Sequence, residues 1–271
     1  MSSDQTVMKI VPIVNARLLN GAKPFKAGNV NATYRAQVVT SDKLIRSVIL
    51  KDLDKRQLAL ELVVAALGKL LGFPIPNAFL VISDKTLATS IGPTIATGER
   101  LMFASEDTQS PPLAQIFKST DPAKIETLKK LASWPNICSL FSLDTWVANI
   151  DRHSGNLLIG SGGVWYIDHG HCFGGPRTPL GTLDSTHQYP QKITKEIAAV
   201  MDDKQKKLVV SHCSEFPKSS SGVDAKLLLN MSTVQAILGS VEFGYVITFL
   251  EKRRGFVPKL GASLVGKELL A

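Results

Sequence analysis

The sequence predicts an α+β chain of two lobes, a sheet-rich one over residues 1–104 and a helical one over 105–271. Three observations carry that expectation. Up to residue 104, short apolar runs bounded by turn residues read as strands, with one apolar helix among them. After residue 112 the apolar segments have helical length and helical punctuation. Between the two lies SEDTQSPP (105–112), a polar, Pro-bearing break.

Taken in order, residues 8–20 (MKIVPIVNARLLN) form a first strand region, and GAKPFKAGNVNAT (21–33) is a loop. Residues 34–40 and 44–50 are two strands turned by Ser41-Asp42-Lys43, the second ending at Lys51. RQLALELVVAALGKLL (56–71) is a largely buried helix, closed by Gly72 and Pro74, with Glu61 as its only acid. A Pro-bounded turn and a strand follow over 73–82, 89–95 joins the same sheet, and RLMFA (100–104) is the last strand before the break. Asp121-Pro122 opens a helix to about 133, with Asp as N-cap and Pro at the first helical position. A second helix, 136–149, delivers the chain into a polar loop, and strands at 156–159 and 164–167 flank a Gly-rich turn. PRTPLGTLDSTHQYP (176–190) is turn-rich, as a mobile activation or substrate loop would be. Helices are expected at 191–201, 203–213, 224–229, 233–238 and 241–252.

Bulk properties narrow the class. With 271 residues, 44% hydrophobic and 20% charged, the chain has ample core for two lobes and an ordinary soluble composition. No apolar run approaches the ~18 residues of a membrane span. MSSDQTVMKIVPIV has no positive segment leading into an apolar core, so the expected location is cytoplasmic. Cys138, Cys172 and Cys213 form no C-x-x-C pair, which removes disulfide-framework and zinc-ribbon readings. A net charge of +8 suits anionic ligands such as nucleotide phosphates. Its densest runs, 204–207 and 252–254, lack interleaved aromatics, which argues against nucleic acid.

The chemistry is concentrated in TWVANIDRHSGNLLIGSGGVWYIDHGHCFGG (145–175). The two strands would bring Asp151, Asn156 and Asp168 together at one edge. An Asp, an Asn five positions later and a strand leading into Asp-x-Gly is a phosphoryl-transfer layout: the first Asp takes the acceptor hydroxyl proton, while the Asn and second Asp hold Mg2+. Mg2+ takes hard oxygen donors and keeps waters and phosphates in its shell, so one carboxylate and one amide suffice. His153 is expected to hold the loop in shape, with a direct base or phosphate contact as the other reading. Lys51 closes an apolar strand, where it can meet ATP phosphates or simply reach solvent. Glu61 needs a partner on so apolar a helix, and Lys51 is the candidate. Gly28 and Asn29 are candidates for a phosphate-covering loop, and Met102 and Ala104 for further nucleotide contacts. A rival reading takes Asp151, Asp168, His169 and His171 as a transition-metal site of a phosphohydrolase; it leaves Lys51 and Glu61 without a role.

DRHSGNLLI followed by VWYIDHGHCFGG resembles the catalytic and metal-binding segments of HipA-like kinases. It is also similar to phosphatidylinositol 3- and 4-kinases, whose pattern is D-R-H-x-x-N, then I-D-F-G-H. VILKDL and LALELVVAALGKLLGFPIP resemble the lysine strand and glutamate helix of the compact HipA-like group, so the likeness spans about residues 44–175. The resemblance implies a two-lobed protein-kinase-like fold using ATP and Mg2+. By it Lys51 contacts phosphate, Glu61 is its partner, Asp151 is the base, Asn156 and Asp168 are the magnesium ligands, and His153 orders the loop. It further implies transfer to a protein Ser or Thr, autophosphorylation included, and an antitoxin-like regulatory partner. A lipid or small-molecule hydroxyl is the alternative acceptor, and a catalytically inactive nucleotide-binding module the alternative class. The chain departs from the pattern in two places: no G-x-G marks the phosphate loop, and His169 stands where many kinases carry Phe.

Overall fold

The computed structural model describes residues 13–25, 31–83, 87, 91–117, 121–160, 163–223 and 231–268. Its first part is a six-stranded sheet built from β1 (Val14–Leu18), β2 (Lys23–Pro24), β3 (Thr33–Thr40), β4 (Ile45–Lys51), β5 (Ala78–Ser83) and β6 (Arg100–Glu106), in the order β1-β5-β6-β4-β3-β2. All neighbours are antiparallel except β1 and β5. β1 also pairs with β3, with Ala16 opposite Thr40 and Leu18 opposite Val38. That extra pairing closes β1, β5, β6, β4 and β3 into a ring. Side chains alternate across a strand, so each strand sends every second residue inward. The inward set is Ala16, Ala36, Val38, Val48, Leu50, Phe79, Val81, Met102 and Ala104, a separate apolar cluster.

Helix α1 (Lys55–Leu70) follows β4 directly. The Asp54 carboxylate caps it, accepting from the backbone amides of Arg56 at 2.8 Å and Gln57 at 2.9 Å. Gly72, at φ +69°, turns the chain out of it. Leu58 through Ala65 are all buried, which accounts for an almost unbroken apolar stretch: one side faces the sheet, the other the helical part.

The remainder is helical: α2 (Leu113–Ile116), α3 (Asp121–Ala132), α4 (Ile137–Trp146), α5 (Lys192–Val200), α6 (Asp203–Ser219), α7 (Ser232–Leu238), α8 (Ser240–Arg254) and α9 (Val257–Leu264). One hairpin interrupts it, β7 (Leu157–Gly160) with β8 (Gly163–Tyr166). The larger core joins α1 to these helices through side chains such as Leu60, Phe141, Trp146, Phe216 and Phe249. Trp146 Nε1 donates to Leu250 O at 2.8 Å, locking α4 to α8.

Several boundaries differ from expectation. β6 runs on through Ser105 and Glu106, because these residues still pair with β4 and β5, so the polar break starts later. Residues 91–95 add no strand, only a single bridge between Thr94 and Arg100. The expected helix at 224–229, the start of the first strand region (8–12) and residues 89–90 lie outside the described residues. Among the described residues no single helix is long and apolar enough to cross a membrane. The pair α7 and α8 reaches that length together but is bent by 116°, and its Phe243, Val246 and Leu250 are buried in the core.

Candidate active site

Lys51 ends β4 one residue past inward-facing Leu50, so the pleat turns it out of the ring and toward the helical part. There Nζ lies 3.0 Å from Glu61 Oε1 and 3.2 Å from Asp168 Oδ1. Burial opposes the charge on Lys51, but Glu61 and Asp168 together outweigh it and hold the ammonium above its usual pKa. Burial likewise opposes ionisation of Glu61, and the attraction of Lys51, with bonds from His169, overrides it and pulls the carboxyl well below its usual range. The paired strand lysine and helix glutamate meet as their sequence setting suggests.

Because folding depresses the Glu61 pKa, the unfolded chain takes up this proton first as pH falls. Stabilisation by the pair is therefore whole above about pH 4.3 and declines as pH drops toward the folded value. The stability gap between wild type and Glu61→Gln is expected to narrow below that pH. Denaturation at pH 7, 5, 4 and 3 checks it, and a constant gap counts against the depressed carboxyl.

The Asp151 loop is built around Arg152. This side chain is wholly buried and binds Asp144 of α4 through two nitrogens, Nε to Oδ2 at 2.8 Å and Nη2 to Oδ1 at 2.9 Å. Its Nη1 donates to Asn156 O at 3.0 Å and Ile167 O at 2.6 Å, tying both strands of the hairpin base to α4. Asn149 Oδ1 accepts from the Asp151 amide at 3.0 Å, and Asn156 Nδ2 donates to Asp151 O at 2.9 Å. The Asp151 backbone is thus gripped from both sides while its carboxylate, 37% exposed, faces outward. Two histidines flank that carboxylate: His171 Nδ1 at 3.3 Å and His153 Nε2 at 4.0 Å. His153 Nδ1 accepts from the Gly155 amide at 3.0 Å, capping the 3-10 turn Ser154–Asn156, so it shapes the loop.

Asp168 adopts φ +60°, the left-handed region, which is costly for a residue with a Cβ. That turn directs its carboxylate back to Lys51 and delivers the His169 amide to Glu61 Oε2 at 2.9 Å. The chain then zips onto the Asp151 loop, Phe173 N donating to Val147 O at 2.7 Å and Gly174 N to Ala148 O at 3.1 Å. Gly175, at φ +91°, runs so close that a Cβ would come within 2.6 Å of Ile150 Cδ1. The turn-rich segment 176–190 is consequently anchored. Arg56 Nη2 donates to Gly175 O at 3.1 Å and Thr178 O at 2.5 Å. Arg253, fully buried, donates to Ser185 O at 2.9 Å and His187 O at 3.0 Å while holding Thr145 O at 2.5 Å.

These groups converge on one cavity of about 640 Å³, lined among others by Lys51, Glu61, Phe103, Asp151, Asn156 and Asp168. Gly28 and Asn29 lie outside the described residues. Met102 and Ala104 do not line the cavity: both point into the closed strand ring, and their neighbours Phe103 and Ser105 face the cavity instead. An apolar run without alternation gives no clue to which parity faces inward; ring closure decides it. Met102→Ala is expected to lower unfolding free energy by about 2–5 kcal/mol and leave nucleotide affinity unchanged. Ser105→Trp fills the cavity and weakens that affinity; calorimetric titration and chemical denaturation check both.

Asn156 and Asp168 supply an amide oxygen and a carboxylate, the hard donors magnesium takes from protein when phosphates and waters complete its shell. Asn156 Nδ2 is spent on Asp151 O, which leaves its oxygen to coordinate. Among the described residues no group of three or more His, Cys, Asp or Glu side chains is arranged to hold an ion, as the rival hydrolase site requires. His169 turns instead to Glu61, and His171 to Asp151.

Sequence reasoning missed Asp144. The signal was the one that picked out Glu61, a lone acid in an apolar helix (ICSLFSLDTW). Its partner Arg152 sits in a loop eight residues on, where nothing in the pattern marks it as buried.

No curated protein matches the chain. The crystal structure of a Helicobacter pylori proinflammatory kinase, CtkA, aligns over 95% of this chain and 99% of its own, with 12% identity and a TM-score of 0.52. The open conformation of CtTel1 aligns over 92% of this chain at 14% identity and a TM-score of 0.50, and the chain spans only 12% of its length. At such identities these likenesses show a shared kinase fold. The family match is more specific: residues 1–233 match phosphatidylinositol 3- and 4-kinase, the lipid-kinase side of the two motif resemblances. With the match extending through the sheet, the lysine strand, the Asp151 loop and the Asp168 turn, the chain belongs to the phosphatidylinositol 3- and 4-kinase family.

Proposed function

We propose that the chain binds ATP with Mg2+ in this cavity and transfers the γ-phosphate to a protein Ser or Thr hydroxyl. The observation that carries the reading is the Lys51–Glu61–Asp168 cluster in the same cavity as Asp151 and Asn156. In it a nucleotide lobe that ends with β6 and the catalytic lobe that follows it meet at the polar break after Glu106. Lys51, held by Glu61, contacts the α- and β-phosphates. Asn156 and Asp168 would hold the metal, which when bound offsets charge on the phosphates. Asp151 accepts the proton of the acceptor hydroxyl as its oxygen bonds to the γ-phosphorus. The bond from that phosphorus to the β–γ bridging oxygen breaks, and ADP leaves.

Two observations bear on the acceptor. The segment 176–190, zipped beside the Asp151 loop, carries only Arg177 and Asp184 as charged side chains. A polyphosphorylated headgroup calls for clustered cations, so this segment suits a peptide better. Family membership supports the second reading, a phosphatidylinositol hydroxyl.

Incubation with γ-labelled ATP separates these readings: label is expected in protein, on the chain itself or in a lysate, and not in phosphatidylinositol vesicles. Label in lipid alone overturns the acceptor. No label anywhere, with no Mg-ATP effect on the melting temperature, overturns the kinase reading. Asp168→Ala is expected to weaken both Mg-ATP binding and transfer, since it removes a metal ligand and a Lys51 contact together.

A further inference from the structure

Glu61 uses its two oxygens in different directions. Oε1 meets Lys51 at 3.0 Å, and Oε2 accepts the His169 amide at 2.9 Å with the His169 ring Nδ1 facing it at 3.5 Å. Lys51 returns to the residue before His169 through Asp168 Oδ1 at 3.2 Å. The contacts form a closed circuit from β4 to α1 to the Asp168 turn and back. His169 is only 2% exposed, so its ring is a fixed part of the circuit.

The ring's other nitrogen makes the case. Nε2 is buried without a hydrogen-bond partner among the described residues. A phenylalanine would fill similar space with no orphaned atom, so filling space does not account for histidine here. An ionised carboxylate only accepts hydrogen bonds. The nitrogen facing Oε2 must therefore carry the ring proton, which leaves Nε2 bare. What histidine adds is a second donor on Glu61 Oε2.

We propose that His169 is a positioning residue for Lys51: its ring Nδ1–H and its backbone amide fix Glu61 Oε2, so that Oε1 stays on Lys51. The inference rests on the reading of Lys51 as the phosphate-contacting lysine. Without the ring donor, Glu61 turns more freely about its terminal torsion and Lys51 is left to Asp168. Lys51 then competes with the metal for that carboxylate, and nucleotide binding suffers.

The test compares His169→Phe with His169→Asn in the full chain. Phenylalanine keeps the volume and loses the donor; asparagine places an amide nitrogen near the Nδ1 position. His169→Phe is expected to raise the KM for ATP and the Kd for Mg-ADP about tenfold, the scale of one hydrogen bond to a charged group. Its melting temperature should stay near wild type, and His169→Asn should recover most of the affinity. Nitrogen-15 NMR of the wild-type ring is expected to show the Nδ1–H tautomer. An Nε2–H tautomer overturns the proposal, as does a His169→Phe protein with wild-type KM and Kd. If His169→Phe does not fold, the His169→Asn affinity and the tautomer decide. If the wild type transfers no phosphate and Mg-ATP leaves its melting temperature unchanged, the kinase reading fails, and the tautomer still judges the His169–Glu61 contact.

Discussion

Asp151→Ala is expected to abolish phosphoryl transfer while leaving Mg-ATP binding near the wild-type level. The two effects separate because the residue's side chain and backbone do different work. Its amide and carbonyl are held by Asn149 and Asn156, and neither bond uses the carboxylate. Alanine therefore keeps the loop and the Asn156 side chain in place. The proposed metal ligands, Asn156 and Asp168, and Lys51 also remain, so nucleotide binding is expected to persist. What disappears is the proposed acceptor for the hydroxyl proton, a contribution of roughly 10²- to 10⁴-fold in rate. Steady-state turnover with calorimetric titration of Mg-ADP checks both halves. Equal turnover in wild type and variant would sink the assignment, and lost binding would show that Asp151 is structural.

Arg152→Met should produce the largest loss of stability. Arg152 and Asp144 are both entirely buried, and their two hydrogen bonds offset the desolvation of each charge. Removing the arginine leaves the Asp144 carboxylate without its counter-charge in the core, at a cost of about 3–5 kcal/mol. A chain of this size loses about 2–4 °C per kcal/mol, so the melting temperature should fall by roughly 10 °C. Asn156 O and Ile167 O lose a shared donor as well, which loosens the hairpin base. The double variant Asp144→Asn/Arg152→Met should recover part of the loss, because it buries no unpaired charge. Thermal and urea denaturation of the three proteins measure this. A single variant as stable as wild type would mean that the pair contributes nothing.

Local pattern made some of the site legible and hid the rest. Lys51 and Glu61 stood out because each is a charge that an apolar segment cannot bury alone, and they satisfy each other. Asp151, Asn156 and Asp168 were legible through spacing, since a short hairpin brings its two ends together. Arg152 was not, because a charged residue in a polar loop looks solvated until the loop folds onto α4. Anchoring of 176–190 was equally hidden: its grips are carbonyls reached by Arg56 and Arg253 from distant helices.

The sequence by itself determined the sheet-then-helix order of the two parts, the residues proposed for phosphoryl transfer, and the carboxylate partner that Lys51 meets. Those follow from chain-local physics: periodicity, turn chemistry, and the cost of burying a lone charge. Tertiary structure alone decided which face of β6 meets the cavity, because closure of the strand ring by β1 and β3 turns Met102 and Ala104 inward. It also decided that Arg152 is a buried strut and that His169 turns to Glu61. Each of these depends on contacts between residues far apart along the chain or on opposite sides of a turn, which no local pattern encodes.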